Sequence, residues 1–225
     1  ENGSDGSVYN YELIYYPTTT VDGNPESPKL PQPDNVTGVD IRGLGDDKEV
    51  YRWFYSLENN RREDDYERFM KFCTNFSAPT AQLVEKAKEV MDVDEWMRTF
   101  CIYSLCGVRD AYTYGNYHNL KIYIRPSDGK ALAFHWDLDW CWTNGTQTNG
   151  FWGGNNLSRI MARPPFARMY YRHMKDIIDT TYNRSYMDYW VQHYGDLAGQ
   201  NYSGVSSYIS QRRRHLLGLL SNLPV

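Results

Sequence analysis

Two aspartates one residue apart, Asp137 and Asp139, are the side chains of this chain best suited to do chemistry. They lie in an alternating run from Ala131 to Trp142. Leu132, Phe134, Trp136, Leu138, Trp140 and Trp142 fall on one side, and Ala131, Ala133, His135, Asp137, Asp139 and Cys141 on the other. Period two predicts a strand that buries its bulky face and holds two carboxylates side by side on the second face. Ionised carboxylates so placed repel each other and lose hydration. A divalent cation offsets that cost, because oxygen-rich sites suit Mg, Mn and Ca. A bare D-x-D more often sits at a wet strand end, bonded to backbone or Arg. The tryptophan frame favours a walled cleft.

The elements that must position this pair are read from the residues before it. Leu120, Ile122 and Ile124 alternate with Lys121, Tyr123 and Arg125, and Pro126-Ser127-Asp128-Gly129 supplies turn chemistry. A hairpin is therefore predicted from about Asn119 to Trp140. Upstream, Gly107 to Asn119 reads as a polar, aromatic loop leaving a helix. It brings Asp110, Asn116, His118 and Asn119 to the same hairpin, and loops held by rigid elements are where catalytic groups concentrate. Taken singly, His118 also fits a hydrogen-bonded structural histidine, and Asp110 a residue closing the helix. As a set they read as a site.

The order D-x-Y-x-Y-G-N-x-H-N, a short hairpin, then W-D-L-D-W resembles the CotH family of secreted, atypical protein kinases. YNYELIYYPTTTVDGNPESPKLPQPD and DIRGLGDDKEVYRWFYSLENN are similar to connecting parts of such domains. The resemblance covers roughly residues 8 to 220, with Asp110 to Trp140 as its specific core. It implies a distant protein-kinase fold and phosphoryl transfer from ATP with Mg or Mn. By position Asp110 would be the catalytic-loop aspartate, accepting or orienting the hydroxyl proton of a Ser, Thr or Tyr acceptor. Asn116, His118 and Asn119 would line that loop, and Asp137 and Asp139 would hold the metal. Trp136 is assigned to the nucleotide pocket, although it and Trp140, on the opposite strand face, are expected as wall and core more than as substrate contacts. The family usually has Pro where this chain has His135, which could pair with an Asp or add a ligand. The implied partners are a nucleotide and a secreted or cell-envelope protein, at an extracellular or envelope location.

Kinase chemistry also needs a nucleotide-gripping lobe. No G-x-G-x-x-G and no G-x-x-x-x-G-K-[ST] is present, and Gly38 to Gly45 reads as a turn. The expectation is a C-terminal-lobe fragment, its gripping lobe upstream, which by itself catalyses little. A non-catalytic structural or binding module with a kinase-like fold is the alternative. A metal-dependent phosphodiesterase would need more ligands than Asp137, Asp139 and His135 provide.

The composition bounds these readings. The 225 residues suffice for one core, and a formal charge of −4 argues against nucleic acid as the main ligand. No run of 18 apolar residues spans a membrane. Twenty Tyr and seven Trp suit polar-rimmed aromatic clefts. Cys73, Cys101, Cys106 and Cys141 have no zinc spacing and read as buried thiols first and disulfides second.

The expected fold is α+β: a mostly helical kinase-like C-lobe over residues 46–225 with a central hairpin carrying the D-x-D strand. Residues 1–45 form a loop-rich, wrapping linker with one strand-like stretch at Tyr9 to Tyr16. Helices are predicted over Asp46 to Asn59, Glu63 to Asn75 and from Thr80. A fourth opens in capping-box style at Asp92–Glu95, stops at Gly107, and carries a core stripe of Trp96, Phe100 and Tyr103. Further helices are predicted over Pro164 to Thr180, Tyr186 to Leu197 and Val205 to Leu220, with Arg212-Arg213-Arg214 on a solvated face. Asn144 to Asn156 is a lid or an exposed insertion.

Overall fold

A computed structural model describes residues 5–142, 145–147 and 155–223. The chain runs β1 (Ser7–Tyr11), β2 (Ile14–Tyr16), β3 (Asn35–Thr37), α1 (Lys48–Phe54), β4 (Tyr55–Leu57), α2 (Glu67–Phe76), α3 (Leu83–Val90) and α4 (Val93–Cys106). A 3-10 turn at Tyr112–Tyr114 precedes β5 (Leu120–Ile124) and β6 (Ala131–His135). Then come α5 (Asn155–Met161), α6 (Pro164–Thr180), α7 (Arg184–Ala198) and α8 (Ser203–Leu220). The class is mixed α/β, compatible with the α+β expectation.

One antiparallel sheet, in the order β4-β1-β5-β6, anchors the site. The expected wrapping segment thus supplies an interior strand. Tyr9 and Tyr11 of β1 are buried and pair with Leu57 and Tyr55 of β4. That pairing also ends the predicted Asp46–Asn59 helix early: tertiary burial of Tyr55 and Leu57 overrides their helical spacing. The Tyr9–Tyr16 stretch is two strands, broken at Glu12 and Leu13, and β2 pairs with β3 in a separate ribbon.

Helix α4 is the central helix. Asp92 caps it, accepting from the Glu95 backbone N–H at 3.4 Å, and Gly107 closes it in the left-handed region at φ 62°. Trp96 is fully buried, its ring 5.4–5.5 Å from those of Phe72, Phe76 and Phe100.

The helix also covers the free edge of β6. Trp96 Nε1 donates to the Ala131 carbonyl at 2.9 Å and Thr99 Oγ1 to the Ala133 carbonyl at 3.1 Å, while Glu95 accepts from the Ala133 N–H at 2.9 Å. Glu95 therefore does not close a capping box; the Asp92 N–H donates to the Ala131 carbonyl instead. Burial pushes the Glu95 carboxyl up to about 7, against the Ala133 and Thr99 hydrogen bonds that lower it.

Arg212 departs from the solvated face expected for it. It is 1% exposed, and its guanidinium donates to the Ser104 carbonyl near the end of α4, from Nε at 3.2 Å and Nη2 at 3.0 Å. A cation at a helix C-terminus answers the negative end of the helix dipole. Helix α5 begins within the stretch read as a loop. Most of the expected lid, Asn144 to Asn156, lies outside the described residues.

Candidate active site

The predicted hairpin forms. Arg125 N–H donates to the Lys130 carbonyl, Gly129 takes φ 70°, and the Arg125 guanidinium joins Asp128 at 2.8 Å to Asp92 at 3.1 Å. The hairpin is thereby tied to the N-terminus of α4. The Arg125 hydrogen bond holds the Asp128 carboxyl down at about 2.

The D-x-D run, however, is not a strand. β6 stops at His135, and Asp137 adopts φ 50°, which turns the chain and ends the period-two alternation. The bulky face is not buried beyond Leu132: Phe134, Trp136 and Trp140 are exposed, the last two at 44% and 54%. Sheet position explains this, since β6 is the last strand and its outward side chains lie past the covered residues 131–133. Trp136 is instead covered by a cation, with the Lys121 ammonium 3.3 Å from the ring centroid. His135 pairs with no aspartate. Its Nε2 donates to the Thr99 carbonyl at 3.0 Å, so it extends the edge cover, and burial lowers its pKa.

The loop residues come together as predicted. His118 Nε2 lies 2.8 Å from Asp110 Oδ1, and Asn116 Nδ2 donates to the same oxygen at 3.3 Å. Asn119, at φ 58°, donates from Nδ2 to the Asp110 carbonyl at 2.6 Å and lies 3.4 Å from Oδ2. Asp110 is half-buried, while His118 and Asn119 are buried. One carboxylate oxygen is thus held by two donors, and the other keeps a single long contact. Such an arrangement can hold a carboxylate in a fixed orientation with one oxygen largely available.

Three contributors escaped the sequence reading. Tyr103, expected only as core, donates from its hydroxyl to the Asn119 carbonyl at 2.9 Å and accepts from the Trp136 N–H at 3.1 Å. A single oxygen thus pins the Asp110 loop to the exit of β6. Buried Asp40 accepts from Tyr112 Oη at 2.6 Å and from the Asn156 N–H at 2.9 Å, so the presumed turn at 38–45 anchors the far side of the loop. Glu12, the first residue after β1, lies within electrostatic reach of both His118 and Asp137. Tyr103 and Glu12 had no readable signal, because their partners are fixed by the sheet and not by spacing.

A sequence model of the family described as CotH kinase protein matches residues 5–213. The chain belongs to the CotH kinase family. No curated protein matches it. Family membership makes a kinase-like function the established level of description. Kinase chemistry in general implies a nucleotide and a divalent metal.

The CotH residues present fit such an ion only in one form. Among the described residues no three His, Cys, Asp or Glu side chains form a ready-made cluster. A Mg-type ion needs fewer, being held by one or two carboxylates together with substrate phosphates. Asp137 and Asp139, both exposed, supply two such carboxylates. Among the described residues the buried Nδ1 of His118 has no hydrogen-bond partner. Among the described residues no helix is long and apolar enough to cross a membrane.

Proposed function

We propose that this CotH kinase domain transfers a phosphoryl group from ATP, with Mg or Mn, to a Ser, Thr or Tyr hydroxyl of a secreted or cell-envelope protein. The observation that carries the reading is Asp110, whose Oδ1 is fixed by His118 and Asn116 while Oδ2 stays nearly unencumbered. The secreted or envelope acceptor and its location follow from the family resemblance.

Phosphoryl transfer asks a protein mainly to position groups and to stabilise charge. Asp110 Oδ2 orients the acceptor hydroxyl and takes its proton as the oxygen attacks the terminal phosphorus of ATP, while the bond from that phosphorus to the bridging oxygen breaks and ADP leaves. His118 and Asn116 keep that carboxylate from rotating away, and Asn119 fixes the backbone beneath it. The Tyr103 hydroxyl holds this loop at a constant distance from the residues after β6. A bound divalent cation would supply charge neutralisation for the transferring phosphate, and Asp137 and Asp139 are the candidate side chains that would hold it. Trp136 is proposed as the wall of the nucleotide pocket, with Lys121 over one face.

The test is transfer of radiolabelled terminal phosphate by the full-length protein to itself or to a generic acceptor such as myelin basic protein. Asp110→Asn is expected to lower the rate by roughly 100- to 10,000-fold, the usual contribution of a positioned base. A variant that transfers phosphate as fast as the wild type removes Asp110 from this role.

A further inference from the structure

Helix α4 and the segment after β6 meet at two cysteines that phosphoryl transfer does not use. Cys106 is the last residue of α4, and Cys141 lies two residues beyond Asp139. The Trp142 N–H donates to the Cys106 carbonyl at 2.8 Å. A hydrogen bond from the residue after one cysteine to the carbonyl of the other sets their Cα atoms about 5–6 Å apart, as in paired strands. That is the usual span of a disulfide.

Two further contacts hold Cys141 in that place. Its own N–H donates to the Leu138 carbonyl at 3.0 Å, closing a turn that contains Asp139. The Trp142 ring stacks on Tyr182 with centroids 6.3 Å apart and meets Tyr208 of α8 edge-on at 5.6 Å. All four cysteines are free thiols, but Cys73 and Cys101 are fully buried, whereas Cys141 is half-buried and open to a small oxidant. Burial pushes the Cys106 thiol up to about 12, and the neighbouring Cys141 adds to the rise. Cys141 is therefore the thiol that reacts first.

We propose that Cys106 and Cys141 form a disulfide in an oxidising environment, clamping the segment that carries Asp137 and Asp139 to the C-terminal end of α4. The Cys141 thiolate attacks a disulfide oxidant such as oxidised glutathione, and one glutathione thiolate leaves. The Cys106 thiolate then attacks the Cys141 sulfur, forming the internal bond and releasing the second glutathione. The oxidant gains two electrons, and the two cysteine protons end on the released thiols. Secreted and envelope compartments, the location proposed above, let such a bond persist. The bond itself is independent of the phosphotransfer reading; only its bearing on a cation-holding segment rests on that reading.

The test holds the folded full-length protein in a glutathione redox buffer at about pH 8.5, near the ordinary thiol pKa. Remaining thiols are then blocked, and chymotrypsin, which cuts after Tyr103, separates Cys101 from Cys106. Mass spectrometry is expected to find one peptide pair joined through Cys106 and Cys141, lighter by two hydrogens. Thermal unfolding of the oxidised protein is expected roughly 5–10 °C above that of the reduced protein. Cys106→Ser and Cys141→Ser are each expected to keep the fold by circular dichroism and to lose that rise. Glutathione left on Cys141 without internal closure, or a link that forms only in urea, overturns the proposal. So does an internal link that leaves the unfolding midpoint unchanged, because nothing is then clamped. The wild-type digest decides the matter even where a serine variant fails to fold. Phosphate transfer by the reduced wild type and by Asp110→Asn judges the phosphotransfer reading separately.

Discussion

The imidazole of His118 and the carboxylate of Asp110 meet at 2.8 Å, joining a buried ring to a half-exposed acid. On the proposed reading, the pair makes His118 a positioning residue that orients Asp110. His118→Ala frees the carboxylate and is expected to lower kcat about 100-fold, the cost of misplacing a reacting group by around 1 Å. His118→Gln can still donate to Asp110 Oδ1 and is expected to recover part of that loss. Steady-state kinetics with both variants checks this, with KM for ATP expected to stay near wild type.

Tyr103→Phe removes the one oxygen shared by the Asn119 carbonyl and the Trp136 N–H. One buried and one part-buried backbone group lose their partner, so a stability loss of about 1–3 kcal/mol is expected. Urea denaturation measures it. Phosphate transfer is expected to fall further than stability alone explains, because the hydroxyl also sets the spacing between the two halves of the site.

Glu95 gives the fold a pH dependence of defined sign. Its folded carboxyl is pushed up to about 7 from the usual 4.5, so the folded protein holds a proton that the unfolded chain releases between these values. Stability therefore falls as pH rises from 4.5 to 7 and levels off above. The full difference is about 3 kcal/mol at most. Glu95→Gln cannot ionise and is expected to flatten this part of the profile, measured as denaturation midpoints across the range.

Arg212→Ala leaves the Ser104 carbonyl without its guanidinium and opens a cavity beside α4. A loss of about 3 kcal/mol is expected for breaking such a buried contact. Arg212→Lys keeps the charge but not the two-pronged geometry, and is expected to fall between the two. Thermal unfolding of the three proteins ranks them.

What the sequence disclosed follows from the range of the physics involved. Local signals read well: the Asp92 cap and Gly107 stop of α4, the turn at Pro126–Gly129, and helix α6, which begins and ends as predicted. The convergence of Asp110, Asn116, His118 and Asn119 was legible because they share one short loop. Period-two patterning failed at Asp137, where one residue of positive φ ends the alternation. It also could not reveal that β6 lies at the sheet edge, so Trp136 and Trp140 were misread as buried. Contributions from distant segments left no trace in spacing. Glu12 arrives through the β1–β5 pairing and Asp40 through its bond to Tyr112, 72 residues away. Arg212 reaches Ser104 across 108 residues, and nothing in an R-R-R run says which guanidinium turns inward.

On the proposed function, the Asp110 loop and the residues after β6 form one nucleotide- and metal-dependent site. Calorimetric titration of the full-length protein with ATP, with and without Mg or Mn, tests it most directly, beside Asp137→Ala. Heat of binding is expected that requires the metal and is lost in Asp137→Ala while the fold persists. Absence of binding by the folded wild type, or binding that Asp137→Ala leaves unchanged, would contradict it.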